Sequence, residues 1–182
     1  MLLIFRLIIS MFIFIFLNGT ASEALADDFS PASHYQVCFT PGEDCTGAIL
    51  AVLSQAQKSI LVQAFSFTSR PVAKALIRAA ARGVDVKIIL DKNTSSQDPY
   101  NLRTRDYLHS ASIPIWLDYS VSIAHNKVMV VDNNTVITGS FNFTRAAQMS
   151  NAENLLIVQD PVLAQKYTEN WQRRLAKSEL LH

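Results

Sequence analysis

The stretch of sequence that decides the fold is HNKVMVVDNNTVITGSFN, residues 125–142. Its two apolar, β-branched segments, 127–131 and 135–138, are separated by Asp132-Asn133-Asn134, which is typical of a tight turn. The pattern therefore predicts a β-hairpin. Because side chains alternate along a strand, His125 and Lys127 project to the same side, where an imidazole and an ammonium can meet one anion.

The return strand of this hairpin brings further polar groups towards His125. Gly139, Ser140 and Asn142 offer backbone N–H groups, a hydroxyl and an amide, which are neutral donors of the kind that stabilise developing negative charge. Taken singly, a histidine in a strand or a serine and an asparagine after one are more often structural. The combination of a nucleophilic imidazole, a cation and neutral donors favours phosphoryl chemistry.

A single imidazole has two uses at a phosphodiester, as nucleophile or as general acid and base, and it cannot serve both at once. If His125 attacks phosphorus, the leaving alcohol needs a proton donor on the opposite side. Glu153 is the nearest downstream acid in a strand context. It can orient a histidine ring, and it is a weaker candidate for the leaving-group acid.

The rest of the chain predicts one α/β domain. A length of 182 residues, with 49% hydrophobic and 17% charged residues, suits a single globular domain. Strand-like and helix-like periods alternate, and we find no internal repeat. The predicted strands are 35–40, 59–67, 84–90, 115–117, 127–131, 135–138 and 154–158, the predicted helices are 49–56, 72–79, 103–110 and one capped by Asp160-Pro161, and 91–100 is predicted as a polar loop.

The first 26 residues are typical of a secretory signal peptide. An apolar stretch is followed by Ala24-Leu25-Ala26 just before Asp27, which favours cleavage after Ala26. The apolar core, Leu7–Leu17, has 11 residues, fewer than the roughly 20 that span a bilayer. We expect a mature domain of residues 27–182, periplasmic or secreted and without a membrane span, and an uncleaved N-terminal anchor is the alternative.

Two further expectations concern cysteines and metals. Cys38 and Cys45 are the only cysteines, and export to an oxidising compartment predicts a disulfide between them, with two small buried thiols as the alternative. The sequence contains no His, Cys or Asp cluster with metal-ligand spacing. We therefore expect neither a metal nor another cofactor.

The spacing His125-x-Lys127-x4-Asp132-x6-Gly139-Ser140-x-Asn142 resembles the signature motif of the phospholipase D superfamily. The chain after the leader is similar to the small bacterial endonuclease branch of that superfamily. The resemblance implies a mixed β-sheet flanked by helices on both faces, with His125 as nucleophile and Glu153 as the carboxylate that supports it. It also implies Lys127, Ser140 and Asn142 as phosphate ligands. Asp132 and Gly139 match the motif too, and the turn position of Asp132 predicts a structural role in holding the hairpin.

Most members of that superfamily carry two copies of the motif, whereas this chain has one. His34, His109 and His182 are not followed by lysine at the required spacing. The resemblance to single-copy members implies a homodimer, in which one His125 attacks and the second protonates the leaving oxygen. This scheme needs no metal.

The motif does not choose between nucleic acid and phospholipid. A formal net charge of +1 does not indicate a global grip on a polyanion. Four basic residues recur every fourth position, at 70, 74, 78 and 82, and form either a track for a polyanion or a solvated helix face. Arg145, just after the site loop, is better placed to contact substrate.

We expect a metal-independent endonuclease that cleaves DNA or RNA through a phosphohistidine. The mature sequence has no amphipathic helix of the membrane-surface type, which argues against a lipid substrate. A phospholipid hydrolase is the first alternative. A catalytically silent, nucleic-acid-binding envelope protein is the second, and the intact motif argues against it.

Overall fold

The computed structural model describes residues 26–182, apart from the side chains of residues 94 and 95. The predicted leader lies outside this range except for Ala26. In chain order the described elements are β1 (His34–Thr40), α1 (Cys45–Gln55), β2 (Ser59–Ala64), α2 (Arg70–Ala81), β3 (Asp85–Asp91), α3 (Thr94–Gln97), α4 (Pro99–His109), β4 (Ile115–Asp118), β5 (Lys127–Val131), β6 (Thr135–Gly139), α5 (Arg145–Met149), β7 (Glu153–Gln159), α6 (Pro161–Leu175) and β8 (Ser178–Leu180).

These strands form one mixed sheet in the order β1-β7-β6-β5-β2-β3-β4-β8. The strands β2, β3 and β4 are parallel, and every other neighbouring pair is antiparallel. Helices connect the parallel strands, because parallel neighbours need a crossover connection. The predicted α/β class with a mixed sheet is confirmed, and β5 and β6 form the predicted hairpin.

Helices cover both faces of the sheet, as the resemblance implied. On one face α1 and α2 pack over a large apolar core that includes Ile49, Leu76 and Met129. On the other face α6 packs against a smaller apolar cluster, and the buried Trp171 indole donates from Nε1 to the Val62 carbonyl over 3.0 Å. The strand β5 lies between these two cores, and all five of its residues are buried.

The segment between β3 and β4 differs from the prediction. The expected polar loop 91–100 contains the short helix α3, and α4 begins at Pro99 rather than near residue 103. The Asp98 carboxylate accepts hydrogen bonds from the Tyr100 and Asn101 N–H groups, and Pro99 occupies the first helical turn. This capping arrangement extends the helix towards its N-terminus. The sequence also did not predict α5 or β8.

Asp132 has the structural role predicted for it. Asp132 and Asn133 have φ values of 54° and 50°, the left-handed conformation of the two central residues of a type I′ turn. The Asp132 carboxylate accepts hydrogen bonds from the N–H groups of Gln57, Lys58 and Ser59, over 2.7 to 3.0 Å. The hairpin turn is thereby tied to the beginning of β2. Burial raises the pKa of the Asp132 carboxyl, and these hydrogen bonds outweigh it, so the pKa is lowered overall.

A disulfide joins Cys38 of β1 to Cys45 at the start of α1, with Cα atoms 5.6 Å apart. It closes the short loop beside the end of β1. Between residues 26 and 182 no helix combines the length and the apolar character needed to cross a membrane.

We predict that Asp132→Ala lowers the free energy of unfolding by about 1–2 kcal/mol at pH 7, because three N–H groups lose a charged acceptor. Urea denaturation of both proteins measures the difference. A carboxyl whose folded-state pKa is lowered stabilises the protein above its unfolded pKa of about 3.9, and this stabilisation is lost as the pH falls through the folded-state pKa. The difference between the two proteins should therefore shrink below about pH 4.

Asp85→Ala is the matched control, because this exposed carboxylate forms only a surface ion pair with Lys87. Its cost should stay under about 0.5 kcal/mol. Equal losses in the two variants would contradict the role given to Asp132.

Candidate active site

The predicted site residues lie at one end of the strands of the sheet, where the parallel strands β2 and β3 finish. His125 precedes β5, Lys127 is its first residue, Ser140 follows β6 and Glu153 begins β7. The strand β5 runs antiparallel to β2, and β7 runs antiparallel to β6. The first residues of β5 and β7 therefore lie where β2 and β6 end. Residues from distant parts of the sequence thus share one end of the sheet.

Lys127 is a buried cation in this site, with 7% of its surface exposed. Its Nζ donates to the His125 carbonyl over 3.1 Å and lies 4.9 Å from the centroid of the Phe65 ring. Burial lowers the pKa of Lys127, and the charge of Glu153 acts in the opposite direction. A buried ammonium is stabilised by an anion that accepts its hydrogen bonds, and a phosphate would be such an anion.

Phe65 is a site residue that the sequence did not reveal. Its ring centroid lies 4.6 Å from that of the exposed His125 imidazole, with the planes tilted by 55°. The Phe65 N–H donates to the Asn126 carbonyl over 2.8 Å, which continues the pairing of β2 with β5. One aromatic ring therefore contacts both His125 and Lys127. The strand prediction 59–67 included Phe65, but its contact with a residue sixty positions later carries no local signal.

The contact predicted between Glu153 and His125 is not among the hydrogen bonds of the described residues. The Glu153 carboxylate instead accepts from the Ser140 hydroxyl over 2.5 Å and from the Asn151 amide over 3.0 Å. In this arrangement Glu153 acts on Ser140 directly and on Lys127 through its charge. Since the Ser140 hydroxyl donates to Glu153, it must rotate before it can donate to a phosphate.

Gly139 explains why the expected backbone donors are not available. The N–H groups of Ser140 and Phe141 both donate to the Asn154 carbonyl, over 3.1 and 3.2 Å. A Cβ at Gly139, whose φ is 141°, would lie 2.3 Å from that same carbonyl oxygen. Only glycine permits this close approach. The prediction that the Ser140 N–H faces substrate is therefore wrong, because this group and the Phe141 N–H tie the end of β6 to β7.

The Asn142 side chain keeps an unused acceptor. Its Oδ1 is buried and has no hydrogen-bond partner within residues 26–182. A buried acceptor without a partner is costly, and native structures contain few such atoms. Asn142 stands one residue before Phe143, whose carbonyl accepts from the Thr68 and Ser69 N–H groups.

A buried carboxylate holds the loop that carries His125. Asp91, at the end of β3 and 1% exposed, accepts from the Ala124 N–H through Oδ2 over 2.9 Å. Ala124 immediately precedes His125, so this bond fixes the backbone that presents the imidazole. The sequence did not single out Asp91, because nothing local marks a carboxylate whose partner lies 33 residues away.

The helical stripe of basic residues 70, 74, 78 and 82 is exposed but is not one continuous track. The Arg82 guanidinium donates to the Leu53 and Ala56 carbonyls over 3.0 and 3.2 Å, which caps the end of α1. The Arg70 guanidinium stacks on Tyr107, 4.1 Å from the ring centroid. Within the described part of the chain no group of three or more His, Cys, Asp or Glu side chains is arranged to hold a metal ion.

The family described as "Cardiolipin synthase, PLD-like domain" matches residues 49–175, which span the whole site. The chain belongs to the phospholipase D superfamily. It is 39% identical over 173 residues to a phospholipase D of Rickettsia conorii, which covers 90% of this chain and 85% of the relative. It is 33% identical over 125 residues to a mitochondrial cardiolipin hydrolase of Xenopus tropicalis, covering 69% of this chain and 58% of the relative.

Solved structures of the superfamily share the fold. The phospholipase D family member Nuc from Salmonella typhimurium superposes with a TM-score of 0.79 and 36% identity, covering 82% of this chain and 99% of Nuc. NucT from Helicobacter pylori superposes with a TM-score of 0.76 and 25% identity, over the same shares. The sequence-based resemblance to the phospholipase D superfamily is thus confirmed, and the chain is a phosphodiesterase of that superfamily.

We predict that Phe65→Leu lowers kcat about tenfold with little change in KM, because misplacing a catalytic group by a fraction of an ångström slows the chemical step more than binding. Phe65→Tyr keeps the ring and should stay within about twofold of wild type. Hydrolysis of a chromogenic phosphodiester gives both constants. Phe29→Leu serves as the control, because it removes an exposed aromatic ring from the segment before β1. A Phe65→Leu enzyme as fast as this control would show that the ring does not position His125.

Proposed function

We propose that this protein is an exported, metal-independent endonuclease that cleaves DNA or RNA through a phosphohistidine on His125, in an active site completed by a second copy of the chain. The observation that supports this most is the exposed His125 imidazole beside a buried Lys127 ammonium, in a chain with one copy of the motif. The typical signal peptide of the first 26 residues supports a periplasmic or secreted location.

In the first chemical step the His125 imidazole attacks phosphorus, so that a P–N bond forms and the P–O bond to the leaving alcohol breaks. The leaving oxygen takes a proton from His125 of the partner subunit. Lys127 offsets the charge on the phosphoryl oxygens. In the second step water attacks the phosphohistidine, the partner's His125 accepts its proton, and His125 is released with a phosphate monoester as product.

The loop before His125 supports a homodimer. Tyr119 and Ile123 lie on this loop and are 46% and 58% exposed, although both are large apolar side chains. Exposed apolar groups next to a catalytic residue are typical of a surface that a partner covers. A twofold axis close to this loop would bury both side chains and bring the two His125 residues together.

One apolar groove is badly placed to hold the acyl chains of a lipid substrate. One groove of mainly apolar character in the described chain is lined by Phe29, Tyr35, Leu156 and Val158. Tyr35 belongs to the His34 end of β1, whereas Thr40, at the other end of the strand, pairs with Glu153 of the site. Acyl chains bound in that groove would lie at the wrong end of the sheet.

A phospholipid substrate is the second candidate, and the relatives favour it, since proteins named phospholipase D and cardiolipin hydrolase match most of the chain. The reacting group is the same in both classes. Only the surroundings of the phosphate distinguish the substrates.

The test is incubation of the purified protein with plasmid DNA and, separately, with phosphatidylcholine vesicles, both in excess chelator. We expect DNA nicking without lipid cleavage, and a loss of at least about 10³-fold in His125→Asn, because the nucleophile is removed. His109→Asn, an exposed histidine at the end of α4, is the matched control and should nick DNA like wild type.

Three results would contradict the proposal. Nicking that the chelator abolishes would exclude the metal-free mechanism. Lipid cleavage without DNA cleavage would reverse the choice of substrate. Full nicking by His125→Asn would exclude this residue as the nucleophile.

A further inference from the structure

A cleft of about 450 Å³ opens between the start of α2 and the start of α5. Eight of its ten lining residues carry a charged or hydrogen-bonding side chain, and they include Arg70, Arg145, Thr68 and Thr144. None of these residues belongs to the signature motif. The cleft is therefore a partly basic cavity separate from the motif residues themselves, and most of the surface that its lining exposes is apolar.

The cleft lies beside the active site because the same two connections contribute residues to both. The loop after β2 carries Phe65, which packs on His125, and then Thr68 of the cleft. The loop after β6 carries Asn142 and leads into α5, whose first residue is Arg145. The two loops are fastened to each other, since the Thr68 and Ser69 N–H groups donate to the Phe143 carbonyl over 3.0 and 2.8 Å.

The distance between the two sites is short. Arg145 follows Asn142 by three residues, so their Cα atoms are at most about 11 Å apart. An arginine side chain covers much of that span. A ligand that occupies both places needs two anionic groups separated by a few bonds.

The two arginines of the cleft are prepared for an anion. Arg70 stacks on the Tyr107 ring, which fixes the guanidinium plane without consuming its N–H groups. Arg145 is exposed, and within residues 26–182 neither guanidinium forms an ion pair. Asp44 also lines the cleft, and its Oδ1 accepts the Gly47 N–H as the N-cap of α1.

We propose that this cleft binds the phosphate next to the scissile one on a nucleic-acid strand, with Arg145 and Arg70 as its ligands. This inference rests on the proposed nuclease function and deepens it. Arginine pairs with phosphate through two parallel N–H groups, and a nucleic-acid strand supplies phosphates at a regular spacing. Met149, 62% exposed at the rim, provides an apolar surface for the sugar or base between the two phosphates.

The experiment compares short oligothymidylates that contain one, two or three phosphodiesters. The readout is the ratio of kcat/KM for the two-phosphate substrate to that for the one-phosphate substrate, taken per scissile bond within each protein. Because each ratio is internal to one protein, a variant that is partly misfolded still reports it correctly. Wild type should show a ratio of about ten, since a hydrogen-bonded contact to a charged group contributes roughly a factor of ten or more.

Arg145→Ala and Arg70→Ala should each bring this ratio down towards one. Arg145→Lys should give a value in between, because it keeps the charge and loses the planar fork. Arg173→Ala is the matched control, since it removes an exposed arginine from α6, on the opposite face of the sheet. It should keep the ratio of wild type.

Failure of this inference is distinguishable from failure of the nuclease function. Two results would overturn only the proposal that the cleft binds a second phosphate. One is a wild type that nicks plasmid DNA but gains nothing from the second phosphate. The other is an Arg145→Ala protein that keeps the full gain. The same proteins are tested on vesicles of a lipid with two phosphates and of a lipid with one. The wild type could prefer the two-phosphate lipid, lose that preference in Arg145→Ala and leave oligonucleotides uncleaved. This result would overturn both the nucleic-acid phosphate site in the cleft and the nuclease function.

Discussion

The burial of the Lys127 ammonium at the first residue of β5 is the constraint on which the rest of the site depends. A buried cation is costly unless other groups compensate it. Three groups do so here: the His125 carbonyl, the face of the Phe65 ring and the charge of Glu153. Each of them also belongs to the site, so the groups that stabilise the lysine are those that the reaction needs. The ammonium can donate further hydrogen bonds, and the proposed phosphate would accept them.

Hydrogen bonds near Lys127 fix the positions of the strands and loops that carry the site residues. The Asn154 carbonyl holds the N–H groups of Ser140 and Phe141, which is possible only because Gly139 has no side chain. The buried Asp91 carboxylate holds the loop before His125, because it accepts a hydrogen bond from the Ala124 N–H. Asp132 does the same at the far end of the hairpin. The motif thus contains the proposed catalytic residues together with Asp132 and Gly139, which hold neighbouring strands to one another.

Much of the fold could be predicted because its signals are local. The hairpin 127–138, the cap at Asp160 and the alternation of strands with helices all lie within a few residues of their cause. The cap at Asp98 is equally local, but the polar segment 91–100 is predicted as a loop. The order of the strands, the short edge strand β8 and the helix α5 could not be predicted, because they depend on pairing and packing with distant segments. The same reason hides Phe65, which follows β2 and packs on His125, and Asp91, which ends β3 and accepts from the Ala124 N–H. The sequence also assigned Glu153 to His125, whereas the register of β1, β6 and β7 places its carboxylate against Ser140.

The central claim is that one chain carries half of an active site. It is tested most directly by a mixed dimer of one wild-type and one His125→Asn subunit, isolated with two different affinity tags and assayed on plasmid DNA. If both His125 residues serve one reaction, the mixed dimer should retain less than about 1% of the activity of the wild-type dimer. A mixed dimer of wild type with His109→Asn should be fully active. About half of the wild-type activity in the His125→Asn mixed dimer, or activity from an isolated monomer, would contradict the shared site.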